Sequence, residues 1–357
     1  MYLNTGGYLY PNCYIWLIGK AGIGKTRAIG AAGKLIRGIE GLHFGATSMT
    51  SASLVDHLNE AKCKIVRFPN EMLEYNSLCI IADELSAYMS KWDTEMAASL
   101  TQFFDNEPYA QGRRVANIRI KIQKPQLNML VGSTPANLMG LVPDIAWEQG
   151  LMSRVFLVHS HERPLVNIFD AANANRPIPK ELEHDLKIIS TLEGQFGWTD
   201  AWAEAMHNWK LAGNRIPDLA EVPDHPRVQS YVSRRYSHCM KLSMISAIDR
   251  GNDLTLDLPD FNRAIGWMAE IEARMPDIFS EGALSPEAKA QEDIIHFVKC
   301  AGPKGIPETK LLNFARERLP GREVRMAIEL LEKSGTIIST SYDVKTGIKT
   351  YITPRLS

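Results

Sequence analysis

Apolar positions along this chain fall into three patterns. The runs Tyr14–Ile18, Leu78–Ala82, Leu127–Val131 and Val155–Val158 are short and nearly unbroken. Such runs suit strands buried on both faces, as in a parallel sheet. Another run alternates, with Ile118, Ile120 and Ile122 on one side and Arg119, Lys121 and Gln123 on the other. A period of two predicts a half-buried strand, here with a cationic outer face, and it can be one half of a hairpin. The third pattern is helical. Val232, Tyr236, Cys239, Leu242 or Ser243, and Ser246 predict a long helix over 229–248. Ile265, Met268, Ile271 and Met275 predict another over 258–279, with Pro259 and Asp260 at its start.

The last seventy or so residues form a separate pattern. Helices are expected near 290–300, 308–318 and 323–334, the last with Val324, Ile328 and Leu331 as its apolar stripe. Two β runs follow at 336–340 and 349–352. Three helices and a hairpin make a winged-helix pattern, a relative of the helix-turn-helix. Pro177 and Pro179 mark a connector, and Leu284-Ser285-Pro286 punctuates the chain again. The expected organisation is an α/β core with a parallel sheet over 1–165, a helical region over 166–283 and a winged-helix domain over 284–357.

Between the first strand and its following helix the chain reads Gly19-Lys20-Ala21-Gly22-Ile23-Gly24-Lys25-Thr26. This matches the phosphate-binding loop G-x-x-x-x-G-K-[ST] in its required strand–loop–helix setting. Gly19, Gly22 and Gly24 let the backbone turn tightly and bring its N–H groups to a phosphate at a helix N-terminus. Lys25 is placed to reach the β- and γ-phosphates of ATP, and Thr26 to ligate Mg²⁺.

Such a loop needs an acidic strand. Leu78–Ala82 supplies it, ending in Asp83 and Glu84. Asp83 is expected to hold Mg²⁺ through water, and Glu84 to act as general base on the attacking water. The run ending at Gly132 leads into Ser133-Thr134-Pro135. Two readings stand for Thr134: a sensor of the γ-phosphate, or ordinary turn chemistry. Arg154 stands just before the last core strand.

Composition narrows the setting. The chain has 357 residues, 45% hydrophobic and 23% charged, with a formal net charge of −1. That is a globular composition without a polybasic excess. A local nucleic-acid surface remains possible, because charge distribution decides it. The five cysteines are widely spaced with no C-x-x-C pair, which argues against structural zinc and for a reducing cytoplasm. No apolar run approaches the length of a membrane span, and no signal-peptide pattern opens the chain. The first strand run begins at Tyr14, so any N-terminal primase or DNA-binding module is expected to lie outside these residues. His159 and His161 flank a serine; beside them only Glu162 offers a further metal ligand.

Taken in order, Gly-Lys-Ala-Gly-Ile-Gly-Lys-Thr, Ile-Ile-Ala-Asp-Glu-Leu, Gly-Ser-Thr-Pro-Ala-Asn-Leu and Gly-Leu-Met-Ser-Arg-Val-Phe resemble the helicase-like ATPase domain of phage and prophage primase-helicases. That group lies within the AAA+ class, with the superfamily 3 and MCM-type helicases. The resemblance spans roughly 10–280. One departure is that Val155 follows the arginine and Phe156 comes one position later than the family pattern.

The resemblance implies an ATP-hydrolysing motor that moves along DNA as a homo-oligomeric ring, a hexamer, in the cytoplasm of a bacterial host. It implies a helical lid over 166–283 and a γ-phosphate sensor at Thr134. Arg154 becomes an arginine finger acting on the neighbouring subunit, and Arg234 or Arg235 a second sensor, of which Arg235 is taken as the nucleotide-binding one. The alternative is a regulatory, helicase-loading or defence ATPase that recruits a protein, such as a replication protein, without unwinding. Candidate DNA contacts are Arg113, Arg114 and Lys124 around the alternating strand, and Arg322, Arg325, Lys345 and Lys349 in the C-terminal region. Residues 288–357 hold twelve Lys and Arg against eight Asp and Glu. That mild excess is compatible with phosphate contact, and equally with protein docking.

Overall fold

A parallel strand buried on both faces places its C-terminal end in a row with its neighbours, and this geometry positions the candidate site. The structure is a computed structural model. It describes all residues except 1, 4–6, 68–70, 91–92, 114–117, 143–145, 148–149, 162–179, 214–225, 252–253, 283–285, 344–347 and 355–357. The chain divides into two compact units, Met1–Gly282 and Ala283–Ser357. Eleven α-helices lie among the described residues.

The first unit opens with a short pair, β1 (Tyr2–Leu3) and β2 (Gly7–Tyr8). Then come β3 (Tyr14–Ile18), α1 (Lys25–Ile36), α2 (Ser51–Glu60), β4 (Lys62–Arg67) and β5 (Glu71–Ala82). Next are α3 (Thr94–Phe104), β6 (Tyr109–Arg113), β7 (Ile118–Ile122), β8 (Pro125–Ser133), α4 (Pro135–Leu141) and β9 (Val155–His159). The central sheet has the order β4-β5-β8-β3-β9. Four of its strands are parallel, and β4 pairs antiparallel with β5 at one edge. The sheet is therefore mixed but mostly parallel.

Register aligns the strand ends. Ile18 pairs with Ser133 and with His159, and Ala82 pairs with Val131. Trp16, Ile18, Ile80, Met129, Val131, Val155 and Leu157 are buried in one core. Helix starts are capped by side chains, as the sequence allows: Thr50 accepts from the Ser53 N–H and Asp93 from the Met96 N–H.

The alternating run forms half of an antiparallel hairpin, β6–β7, a sheet of its own and not an edge of the central one. Ile120 and Ile122 are buried in the main core, while Arg119 and Lys121 face solvent.

After β9 come α5 (Lys180–Ser190), β10 (Gly197–Trp198), α6 (Asp200–Leu211), α7 (Gln229–Gly251), β11 (Thr255–Leu256) and α8 (Leu258–Gly282). Trp202, Met206, Trp209, Cys239, Met240, Met244 and Met268 build a second core among α6, α7 and α8.

A polar stripe on α7 ties this region to the sheet. Arg234, His238 and Lys241 fall at helical spacing. Arg234 donates to Asp105 (3.2 Å), the His238 ring to the Ser153 carbonyl (2.7 Å), and Lys241 Nζ to the carbonyl (2.8 Å) and side-chain oxygen (2.7 Å) of Asn12. Because Nε2 of His238 donates to a carbonyl, its Nδ1 carries the bare lone pair. That nitrogen is buried with no hydrogen-bond partner among the described residues.

Burial and the nearby cations Lys241, Arg234 and Arg154 push the imidazole down to about 3, despite the Ser153 bond that favours its charged form. The unfolded chain binds this proton below the ordinary histidine range and the folded chain does not. Stability held above pH 6.5 is therefore lost on acidification, by about 1.4 kcal/mol for each pH unit in that window. Urea midpoints measured between pH 7 and 5 should fall in the wild type and flatten in His238→Gln.

The second unit contains α9 (Pro286–Cys300), β12 (Ile306–Pro307), α10 (Glu308–Arg316), α11 (Gly321–Lys333), β13 (Ile338–Asp343) and β14 (Ile348–Ile352). The strands form one antiparallel sheet, β12-β14-β13. Ile294, Val298, Leu311, Val324, Ile328, Leu331 and Tyr351 make its core. The short strand β12 has no alternating pattern of its own and is fixed by its pairing to β14.

Candidate functional site

The glycine segment turns between β3 and α1 as its sequence requires. Gly22 (φ 80°) and Gly24 (φ 110°) sit in the left-handed region, which L side chains rarely adopt. Lys25 Nζ donates to the carbonyls of Gly19 (2.6 Å) and Lys20 (3.0 Å), so its charge lies folded across the loop. Partial burial lowers the Lys25 pKa from its ordinary value, and Glu84 partly offsets this. Thr26, in the first turn of α1, is exposed.

Strand β8 lies between the loop strand β3 and the acidic strand β5. Ser133, its last residue, touches both sides. The Ser133 carbonyl accepts from the Gly19 N–H (3.2 Å), and its hydroxyl donates to Glu84 Oε1 (3.3 Å). The Asn137 amide donates to the same Glu84 oxygen (3.4 Å). Asp83 is exposed and Glu84 half-exposed. Gly132 makes this approach possible: a Cβ there would meet the Asp83 carbonyl oxygen at 2.4 Å.

Thr134 accepts from the Asn137 N–H (3.2 Å) as the N-cap of α4, with Pro135 next. The bond present at Thr134 is thus the turn-chemistry one, and the residues directed at Glu84 are Ser133 and Asn137. Asn137 was missed in the sequence. Its only signal is its place three residues after a capping Thr-Pro, which puts it on the first turn of α4 and beside the acidic strand.

The arrangement offers main-chain donors and a lysine on one side, and two carboxylates held one strand away. The exposed Thr26 hydroxyl and Asp83 carboxylate fit the oxygen donor set that Mg²⁺ takes.

Two of the expected site residues are already paired within the chain. Arg154 precedes the N-terminal end of β9, whereas the loop follows the C-terminal end of β3, so it lies across the sheet from its own chain's loop. Its guanidinium is buried, donates to both oxygens of Asp105 and donates to the Gly150 carbonyl (2.6 Å). It is engaged within its own chain. Arg235 is 2% exposed and makes a two-point pair with Glu272, both bonds 2.8 Å, beside the Trp209 ring. It faces the helical core, not the loop. Arg234 is likewise taken by Asp105, and neither arginine lies in a solvated turn.

Of the nucleic-acid candidates, Lys124 is half-buried beside β8, and Arg322 and Arg325 are exposed on α11. Arg113 ends β6. Arg114 and Lys345 lie outside the described residues. His159, His161 and Asp277 bring their ligand atoms within 4.8 Å of one another; Glu162 lies outside the described residues. Arg274 donates to His161 Nε2 (3.2 Å), so a cation already stands against this group. Among the described residues no helix is long and apolar enough to cross a membrane.

No protein-family model matches this chain, and no curated protein matches it either.

Proposed function

We propose that this chain hydrolyses ATP as a P-loop motor of the AAA+ kind and acts on DNA. One observation carries the reading: Ser133 bonds the glycine loop through its carbonyl and Glu84 through its hydroxyl. Through Ser133 the glycine loop and the Glu84 carboxylate meet across one intervening strand, the spacing that a phosphate-binding loop and its general base would use.

The Gly22–Thr26 N–H groups receive phosphate oxygens at the start of α1. Lys25 exchanges its two loop carbonyls for those oxygens. Glu84 takes the proton of the attacking water, and Ser133 and Asn137 fix its carboxylate. Thr26 and Asp83 would hold Mg²⁺, which would supply charge neutralisation on the phosphates.

The DNA part of the reading rests on the resemblance and on the β6–β7 hairpin, whose outward face carries exposed Arg119 and Lys121. The three-helix, three-stranded C-terminal unit fits a winged helix. A homo-oligomeric ring, hexameric in the family resembled, is part of the same proposal, with Arg154 as the expected trans-acting cation once it leaves Asp105. A second reading, an ATPase that recruits a protein, is favoured by the exposed apolar side chains of α11 described below.

The test is ATP hydrolysis with and without single-stranded DNA, together with strand displacement. The wild type should be stimulated by DNA. The double variant Arg119→Glu/Lys121→Glu should keep its DNA-free rate and lose the stimulation, about tenfold or more, because phosphate contacts dominate such binding. Hydrolysis indifferent to DNA, without displacement, selects the second reading.

A further inference from the structure

Helix α11 is the third helix of the C-terminal unit, the place where a DNA-reading helix would stand. Its inner face is spent on the core: Val324, Ala327, Ile328 and Leu331 are buried. Its outer face carries Met326, 70% exposed, and Leu330, 55% exposed, one helical turn apart. Between these and α9 runs a groove of about 390 Å³. Leu319 and Ala327 form its floor, Gln291 one end, and Glu323, Glu329 and Lys333 its charged rim.

Two features specify what fits there. Large exposed apolar side chains in a concave setting mark contact with apolar groups, and Met adapts its shape to such partners. The rim holds two carboxylates against one ammonium, and Glu323 Oε2 is occluded with no hydrogen-bond partner among the described residues. An occluded carboxylate oxygen is costly until a donor reaches it. Phosphate oxygens bring no donor and repel Glu323 and Glu329. A cationic side chain beside an aliphatic anchor satisfies both features.

We infer that the α11–α9 groove is a docking site for an amphipathic helix of another protein, one that seats aliphatic residues between Met326 and Leu330 and a lysine or arginine on Glu323 and Glu329. Helix-in-groove recognition is the general mode. The inference stands apart from ATP hydrolysis, since every groove residue belongs to the second unit and the glycine loop to the first.

The probes are three fluorescent ligands offered to the full chain: a helix-forming leucine–lysine peptide, the same peptide with glutamate for lysine, and a duplex DNA. The leucine–lysine peptide should bind saturably and more tightly than its glutamate counterpart. Met326→Asp and Leu330→Asp should each weaken it by about tenfold, as expected for anchor positions. Both residues are exposed, so the variants should keep the wild-type melting curve. Glu323→Gln/Glu329→Gln should erase the preference for lysine over glutamate, and DNA affinity should be untouched by all four changes.

The inference is overturned if the Asp variants bind the peptide as the wild type does, or if the glutamate peptide binds equally well. It is also overturned if Met326→Asp abolishes duplex binding, which makes DNA the occupant. Loss of a wild-type dimer in Met326→Asp, seen by sedimentation, overturns it in favour of a second copy of this chain.

Discussion

Lys25→Ala is expected to bring ATP hydrolysis to background, and Glu84→Gln to lower kcat by roughly 10²–10⁴ while leaving nucleotide bound. The two variants fail for different reasons. Lys25 is the cation folded across the loop carbonyls, its Nζ already within 2.6 Å of the Gly19 carbonyl. Without it the phosphates lose their main charged partner. Glu84 stands off the loop, held by Ser133 and Asn137, so its amide analogue keeps the shape and hydrogen bonds but cannot take a proton. Phosphate release together with binding of a fluorescent ATP analogue separates the cases: Lys25→Ala should lose both, Glu84→Gln only turnover. Hydrolysis by Lys25→Ala at the wild-type rate would sink the entire functional reading. Asn137→Ala should fall between, since it loosens Glu84 without removing it.

What the sequence made legible was whatever is local. The glycine loop, the run ending in Asp83-Glu84 and the alternation through Ile118–Ile122 each predict their own backbone from neighbouring residues. The helices expected over 229–248 and 258–279, from spacing and the Pro259-Asp260 start, run to Gly251 and Gly282. Partners distant in the chain were not legible. Nothing near Arg154 names Asp105, nothing near Lys241 names Asn12, and nothing near Arg235 names Glu272. A charge in a sequence announces a need for compensation but not where it comes from. Each of these three was therefore read outward, toward solvent, phosphate or a neighbour, or passed over. The fold turns all three inward. The same reasoning explains Asn137: its value arises only because α4 starts beside β5, a matter of strand order. The antiparallel β4 at the sheet edge was also missed, because Lys62–Arg67 mixes charged and apolar residues without a run long enough to register.

Glu272→Ala is expected to destabilise the first unit by about 3–5 kcal/mol, the cost of stranding a buried charge. Glu272 accepts from Arg235 at two points and from the Tyr231 hydroxyl (3.0 Å), all three side chains being buried. Removing the carboxylate leaves a guanidinium and a hydroxyl in the packed region among α6, α7 and α8. Against a typical domain stability of about 5–15 kcal/mol this is a large fraction. Removing both charges in Arg235→Met/Glu272→Leu should recover much of the loss, since an apolar pair of similar volume carries no stranded ion. Urea unfolding of the wild type, Arg235→Met, Glu272→Leu and the double variant closes the cycle. The same variants decide the role of Arg235. A phosphate-sensing arginine would leave stability near wild type and weaken nucleotide binding on its own. A structural one makes Arg235→Met costly to stability and lets the double variant bind nucleotide normally. The geometry requires the second result, because the bonds made by Arg235 Nε and Nη2 end on Glu272, within the helical region and away from the loop.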